Sequence, residues 1–169
     1  MPAEPLPART LNFPLPLVVR TMPAAPSHQP RPPASDRVAY GEYLTNAAVC
    51  ADCHTPIDDQ GMPLSGMNFA GGMAFSPHGV GLVRSANITP DAGTGIGTWT
   101  EEQFVEKFRA FRGQPMRTLE GAERLQNTEM PWTYYAGMHD DDLGAIYAYL
   151  RSQRPVVNRV EKFGTPGQP

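Results

Sequence analysis

Both cysteines of the chain lie in one five-residue segment, Cys50-Ala51-Asp52-Cys53-His54, in which a histidine directly follows the second cysteine. The pattern C-x-x-C-H is typical of the attachment site of a c-type haem. There the two thiols form thioether bonds to the haem vinyl groups, and the histidine becomes a ligand to the iron. A haem held in this way must be enclosed by the chain, so this segment constrains the fold more than any other.

Three other interpretations of the segment remain open at this point. A structural zinc site would need four nitrogen or sulfur ligands, and the next histidine, His78, lies far along the chain. A thioredoxin-type redox pair would begin a helix after a strand, and no βαβ pattern surrounds Cys50. A disulfide between the two cysteines would close a very small loop and add little stability. We therefore predict one covalent haem c, bound by Cys50, Cys53 and His54.

The composition favours a loop-rich protein. With 169 residues and a formal charge of −3, the chain fits one domain with some extra chain, and this charge does not favour nucleic acid or an anionic membrane surface as a partner. Nineteen prolines and sixteen glycines are many for this length and predict short helices joined by loops. Residues 55–99 have no sustained period and are expected to wrap around a haem edge.

More than half of the prolines lie in residues 1–35, which we interpret as an N-terminal arm. A domain at residues 36–157 and a short tail at residues 158–169 follow. Repeated prolines disfavour a regular helix and favour an extended polyproline-type conformation. The arm is then a semi-rigid tether or a strap laid along a partner protein, for which the apolar run from Leu11 to Val19 is suited.

The predicted haem also predicts a location, because haem c is attached outside the bacterial cytoplasm. We expect the chain in the periplasm or at the outer face of the inner membrane. Residues 1–36 contain no apolar run long enough to span a bilayer, and the best run is broken by Pro14 and Pro16. Membrane association is therefore expected through an anchor segment upstream of this chain or through a partner subunit.

Local signals predict three helices. The first begins after Asp36, a favourable N-cap, and ends near Cys50. The second begins at Thr100, which has Gln103 three residues later in a capping-box pattern. The last covers about residues 140–153, where apolar residues recur at helical spacing.

The ligand on the second face of the iron decides what such a haem can do, because methionine favours electron transfer whereas an empty site permits chemistry on small molecules. Met130 is the leading candidate, since Pro131 restricts its backbone and the loop leads directly into the last helix. Met138 is the main competitor, followed by His78 and His139. A buried core methionine is the ordinary alternative.

These segments resemble class I, single-haem cytochromes c, in particular those that are subunits or partners of bacterial periplasmic dehydrogenases and respiratory complexes. The resemblance covers residues 37 to about 157. Four segments in this order carry it: Tyr40-Gly41-Glu42-Tyr43-Leu44; Cys50 to Pro56; Asn87 to Asp91 with Thr94 to Thr100; and Met130-Pro131-Trp132 followed by Asp142 to Leu150.

The resemblance implies an all-α fold with about three main helices and long loops wrapped around one haem. In that family the methionine of the Met-Pro pair is the sixth ligand, which here is Met130. The first and last helices cross at a glycine–aromatic contact, which points to Gly41 against Tyr147 or Tyr149. The residues expected to line the haem edge are Asn87 and Trp99.

The histidine of such a motif normally donates from its second ring nitrogen to a backbone carbonyl, which fixes the ring. For His54 we expect this carbonyl in the turn Gly61-Met62-Pro63.

The functional hypothesis is a one-electron carrier rather than an enzyme, with His54 and Met130 as the iron ligands. It would be a subunit of a membrane-associated respiratory or dehydrogenase complex. Its partners would be a dehydrogenase or quinol-oxidising complex and a downstream oxidase or cytochrome. The alternative is a haem enzyme or gas sensor with an open or displaceable sixth site, similar to a peroxidase; Arg84 near His78 gives it weak support.

Overall fold

The computed structural model describes residues 12–21, 30–76, 82–115 and 128–164. The chain divides into two compact units, residues 1–30 and residues 31–169.

The described part of the first unit contains one helix, α1 (Leu15–Thr21), none of whose residues is buried. The expectation that the proline-rich arm avoids regular helix is therefore wrong at this place. Pro14 precedes the helix and Pro16 lies in its first turn, where a missing N–H is tolerated. The rest of α1 contains no proline and can complete its hydrogen bonds.

The second unit is mostly helical, and the described residues also form three short strands. None of the described helices is long and apolar enough to cross a membrane. In chain order the elements of this unit are α2 (Arg37–Ala47), α3 (Cys50–His54), β1 (Ala74–Phe75), β2 (Leu82–Arg84), α4 (Glu101–Arg109), α5 (Trp132–Tyr135), α6 (Asp140–Ser152) and β3 (Phe163–Gly164).

The strands form one antiparallel sheet in the order β1-β2-β3. The expectation of an all-α fold is therefore confirmed only in part, because a small sheet accompanies the helices. The short strand β2 is paired on both sides, and one of its partners, β3, comes from the predicted C-terminal tail. Strands of two or three residues are too short to show a periodic pattern, and their partners lie far apart in the chain. The sequence therefore did not reveal this sheet.

Two predicted helix starts are confirmed. The Asp36 carboxylate accepts a hydrogen bond from the Ala39 backbone N–H at 3.1 Å. Thr100 and Gln103 form a complete capping box at the start of α4. Both caps satisfy backbone N–H groups that a helix leaves unpaired at its N-terminus.

Helices α2 and α6 cross at Gly41. A Cβ atom built on Gly41 would lie 2.0 Å from the carbonyl oxygen of Ala145 and 2.9 Å from the Cβ of Tyr149. The predicted crossing of the first and last helices is thus confirmed, with Tyr149 as the aromatic partner and the Ala145 backbone as the closest contact. Only glycine leaves room for this approach.

The main core lies between α4 and α6. Phe104 and Phe108 from α4 pack with Leu143, Ile146 and Leu150 from α6, and all five side chains are buried. Burial of each such side chain contributes about 1.5–3 kcal/mol. This core holds α6 in a fixed position beside α4.

An ion-pair cluster reinforces the same contact at the surface. The Asp140 carboxylate, at the start of α6, accepts hydrogen bonds from Arg109 Nε at 3.1 Å and from Arg112 Nη2 at 3.0 Å. These two guanidinium groups hold the pKa of Asp140 below its usual 3.8, at about 2. The ionised carboxylate also suits the positive end of the helix dipole.

We expect Gly41→Ala to lower the free energy of unfolding by about 3 kcal/mol or more, because its methyl group would overlap the Ala145 backbone. Urea unfolding of the purified protein measures this change. Gly93→Ala is the matched control, since its new Cβ would meet only the Asp91 side chain at 3.7 Å. Equal stability of the two variants would contradict the close crossing.

We expect Asp140→Asn to be less stable than the wild type at neutral pH but not at the acid end. The pKa of Asp140 is depressed in the folded state, so its ionised form stabilises the fold above the unfolded pKa. This contribution is lost as the pH falls toward the folded pKa of about 2. Urea unfolding of both proteins at neutral pH and close to the folded pKa of Asp140 tests this expectation. A stability difference between wild type and variant that stays constant with pH would contradict the ion-pair account.

Candidate haem-binding site

The predicted attachment segment forms its own short helix, α3, separate from α2. The prediction that the first helix continues to about Cys50 is wrong, because the chain turns at Val49. This residue has φ 49° and ψ 34°, the left-handed conformation. Its amide donates to the Asn46 carbonyl at 3.1 Å, which closes the end of α2. Cys50 is half-buried and Cys53 is exposed, and the two are not bonded to each other.

Neither thiol has the character of a redox nucleophile. Burial raises the pKa of Cys50 to about 11. Burial also raises the pKa of Cys53, with smaller contributions from the nearby carboxylates of Asp52 and Glu129. A thioredoxin-type cysteine needs a lowered pKa, so this environment disfavours that interpretation.

The His54 ring is oriented by a hydrogen bond from Nδ1 to the carbonyl oxygen of Ala86, at 2.7 Å. A carbonyl can only accept, so Nδ1 carries the proton, and Nε2 of the neutral ring keeps a free lone pair. Burial lowers the pKa of His54 and so favours this neutral form. A neutral imidazole held at one nitrogen is the form that ligates iron.

The prediction that the turn Gly61-Met62-Pro63 supplies this carbonyl is wrong. That turn closes its own hairpin, in which the Asp58 amide donates to the Met62 carbonyl at 2.9 Å. Ala86 instead follows β2. A Cβ atom built on Gly71 would lie 2.5 Å from the Ala86 oxygen, so the two backbone segments are in direct contact and the carbonyl is held in place.

Met130 lies at the edge of the main core and is partly buried. Its carbonyl accepts from the Trp132 amide at 2.8 Å, and the Trp132 indole donates to Thr128 Oγ1 at 3.1 Å. The Trp132 ring stacks on Phe111, with centroids 5.1 Å apart. These contacts hold the Met130 backbone within a short, closed segment.

The competing ligands differ in their surroundings. Met138 is also partly buried at the core edge, whereas the side chain of His139 is exposed at the start of α6. His78 lies outside the described residues. The Arg84 guanidinium, which the peroxidase-like alternative would use, donates to the Glu161 carbonyl at 3.3 Å.

Asn87 is buried and acts as a junction between loops. Its amide nitrogen donates to Thr94 Oγ1 at 3.0 Å and to the Val156 carbonyl at 2.8 Å. Its amide oxygen accepts from the Thr89 amide at 2.9 Å and from the Thr89 hydroxyl at 2.7 Å. Its contact with a haem edge stays a prediction, and a propionate would have to replace one of these partners.

Trp99 lies between the long loop and α4. Its ring is partly buried against the main core, and its carbonyl accepts a hydrogen bond from the Tyr147 hydroxyl of α6. This position at the core edge suits the predicted role of lining a haem, which stays a prediction.

Two residues of the site were not found from the sequence. Ala86 contributes a backbone carbonyl, which no residue type reveals. Tyr135 donates from its hydroxyl to the Ala48 carbonyl at 2.8 Å. Burial raises its pKa, and the two cysteine sulfurs add to this shift, so its ring lies near both. Nothing in the sequence distinguishes Tyr135 from its neighbour Tyr134, which is exposed.

The surroundings of the attachment segment fit a flat apolar group. Several apolar side chains adjoin the buried core but are only partly covered, which is the condition of residues that a haem would shield from water. The group includes Cys50 itself and Met130. Its members are Leu44, Cys50, Ala51, Ile88, Trp99, Met130, Trp132, Tyr135, Met138, Tyr147 and Tyr149.

No protein-family model matches the chain. Among proteins of known function, the gluconate 2-dehydrogenase cytochrome c subunit of Pantoea cypripedii is 36% identical over 113 residues, which are 67% of this chain and 22% of that protein. The fructose dehydrogenase cytochrome subunit of Gluconobacter japonicus is 35% identical over 156 residues, 90% of this chain and 29% of that protein.

The cytochrome c subunit of the quinone-dependent alcohol dehydrogenase of Gluconobacter oxydans (strain 621H) is 35% identical over 119 residues, 69% of this chain and 22% of that protein. The chain thus spans less than a third of the length of each of these relatives. Over about two thirds of its length or more, the chain is therefore a homologue of cytochrome c subunits of bacterial dehydrogenases.

Proposed function

We propose that this chain carries one covalent haem c, attached at Cys50 and Cys53, and works as a one-electron carrier with a class I cytochrome c fold. His54 and Met130 would be the two residues that ligate the iron. The orientation of His54 carries this proposal, because its Nδ1 is committed to the Ala86 carbonyl at 2.7 Å. The free Nε2 is then the atom available to a metal.

When bound, the haem iron would exchange single electrons between its ferric and ferrous forms, and a thioether ligand raises its reduction potential relative to a second histidine. The chain's own residues supply the setting. The Ala86 carbonyl fixes the orientation of the His54 ring, and the closed segment around Trp132 holds Met130. With the haem bound, the partly buried apolar side chains would exclude water from its surroundings, which would limit the reorganisation that accompanies a change of charge.

The relatives suggest the partners. Their names describe cytochrome subunits of gluconate, fructose and alcohol dehydrogenases. We therefore propose that this chain is an electron-transfer part of a membrane-associated dehydrogenase or respiratory complex in the periplasm or at the outer face of the inner membrane. The catalytic subunit of such a complex would donate electrons, and a downstream oxidase or cytochrome would accept them.

We expect Met130→Leu to abolish the weak red absorption band of a ferric iron–methionine bond and to lower the reduction potential, because leucine matches the volume of methionine but cannot ligate iron. Met138→Leu is the matched control and should keep both properties. Absorption spectra and redox titration of the purified protein measure them.

Three outcomes would contradict Met130 as the ligand. The band could be absent from the wild type, or it could survive in Met130→Leu. Rapid binding of carbon monoxide to the ferrous wild type would indicate an open sixth site and would favour the enzyme or sensor alternative.

We expect the double variant Cys50→Ala, Cys53→Ala to lose covalent haem completely, since no other thiol is present in the chain. Mass spectrometry of the wild type should give the mass of the chain plus one haem. Each single variant should keep one thioether bond. Asp52→Asn, which changes the same segment but no thiol, should remain fully loaded. A wild type that lacks covalent haem would refute the attachment site.

A further inference from the structure

Tyr135 links the segment of Met130 to the turn before Cys50. Its hydroxyl donates to the carbonyl oxygen of Ala48 at 2.8 Å, a contact between residues 87 positions apart in the chain. Its own backbone amide donates to the Pro131 carbonyl at 3.2 Å. A rigid aromatic side chain therefore joins the residue that follows Met130 to the peptide group that precedes the attachment segment.

The turn that Tyr135 contacts has an unfavourable conformation. Val49 is β-branched and has φ 49°, although helices usually end in this left-handed conformation at glycine. A branched residue there is a conformational outlier that persists only where its surroundings hold it. Val49 is 52% exposed to solvent, so it gains little from burial that could offset this cost.

The hydroxyl of Tyr135 acts directly on this conformation. The carbonyl of Ala48 and the amide nitrogen of Val49 belong to the same planar peptide group. A hydrogen bond that fixes the carbonyl oxygen therefore fixes the orientation of this peptide plane, and with it limits rotation about the N–Cα bond of Val49, which is the φ angle. The next residue is Cys50, so the direction in which this thiol enters α3 depends on the same turn.

We propose that Tyr135 is a positioning residue that holds the Val49 turn, and with it Cys50, in a fixed relation to the Met130 segment. The inference rests on the proposed function, because it takes Cys50 as a haem attachment point and Met130 as the sixth ligand. Because of this hydrogen bond, the Met130 segment can move away from the iron only if the Val49 turn relaxes as well. Loss of the hydroxyl lets the Val49 turn relax, which shifts Cys50 relative to the Met130 segment and makes the iron–methionine bond easier to displace.

Imidazole competition against the wild-type holoprotein and Tyr135→Phe tests the proposal. Added imidazole displaces an axial methionine, and the weak red band reports how much methionine remains bound. We expect the imidazole concentration that removes half of the band to be about fivefold lower in Tyr135→Phe, as for the loss of one ordinary hydrogen bond. Tyr134→Phe is the matched control, because its ring is 71% exposed, and it should behave as the wild type.

A second variant separates positioning from general packing. Glycine adopts the left-handed conformation without penalty, so Val49→Gly added to Tyr135→Phe should restore most of the lost resistance to imidazole. A tyrosine that only packs against the core would not be compensated at Val49. Absence of this rescue, or a half-displacement concentration equal to that of the wild type, would overturn the proposal.

The outcomes distinguish this inference from the proposed function. If the wild type shows the band and Met130→Leu loses it, but Tyr135→Phe resists imidazole as the wild type does, then the carrier stands and the positioning role is refuted. If the wild type has no band, the ligand assignment of Met130 fails, and the positioning role is refuted with it.

Discussion

At Gly41 the backbone of α2 lies directly against the Ala145 carbonyl of α6, at a distance that admits no side chain on α2. Helix α2 leads into the attachment segment, and α6 follows the segment that contains Met130. The crossing therefore sets the two halves of the candidate site relative to each other. The core between α4 and α6 and the cluster around Asp140 then hold α6 from its other side.

The second half of the framework consists of loops rather than helices. Asn87 joins the loop after β2 to the backbone of Val156, and the side chain of Asn158 donates to the Ala70 carbonyl at 3.0 Å. These amides hold irregular segments that have few backbone partners of their own. Ala86 lies among them, so the orientation of His54 depends on hydrogen bonds that surround the loop as well as on the helix that carries the ring.

The sequence predicted what local chemistry determines. The cap at Asp36 and the capping box at Thr100 each depend on residues close together in the chain. The crossing at Gly41 joins distant helices, and its partner was expected from the family resemblance. The pairing of β2 with β3, the Ala86 carbonyl and the Tyr135 hydrogen bond depend on distant segments that meet only in the folded chain. The turn at Val49, which separates α2 from α3, was missed for another reason, since turns that end helices are normally marked by glycine.

The C-terminal segment has a consequence for where this domain can be divided. The sequence predicts a short tail at residues 158–169, yet the Asn158 side chain donates to the Ala70 carbonyl and the Lys162 carbonyl accepts from the Arg84 amide at 2.8 Å. A chain cut after residue 157 would lose one edge of the sheet that leads to Ala86. The damage would reach the His54 ring through the Ala86 carbonyl that orients it, so the C-terminal boundary of the domain lies beyond β3.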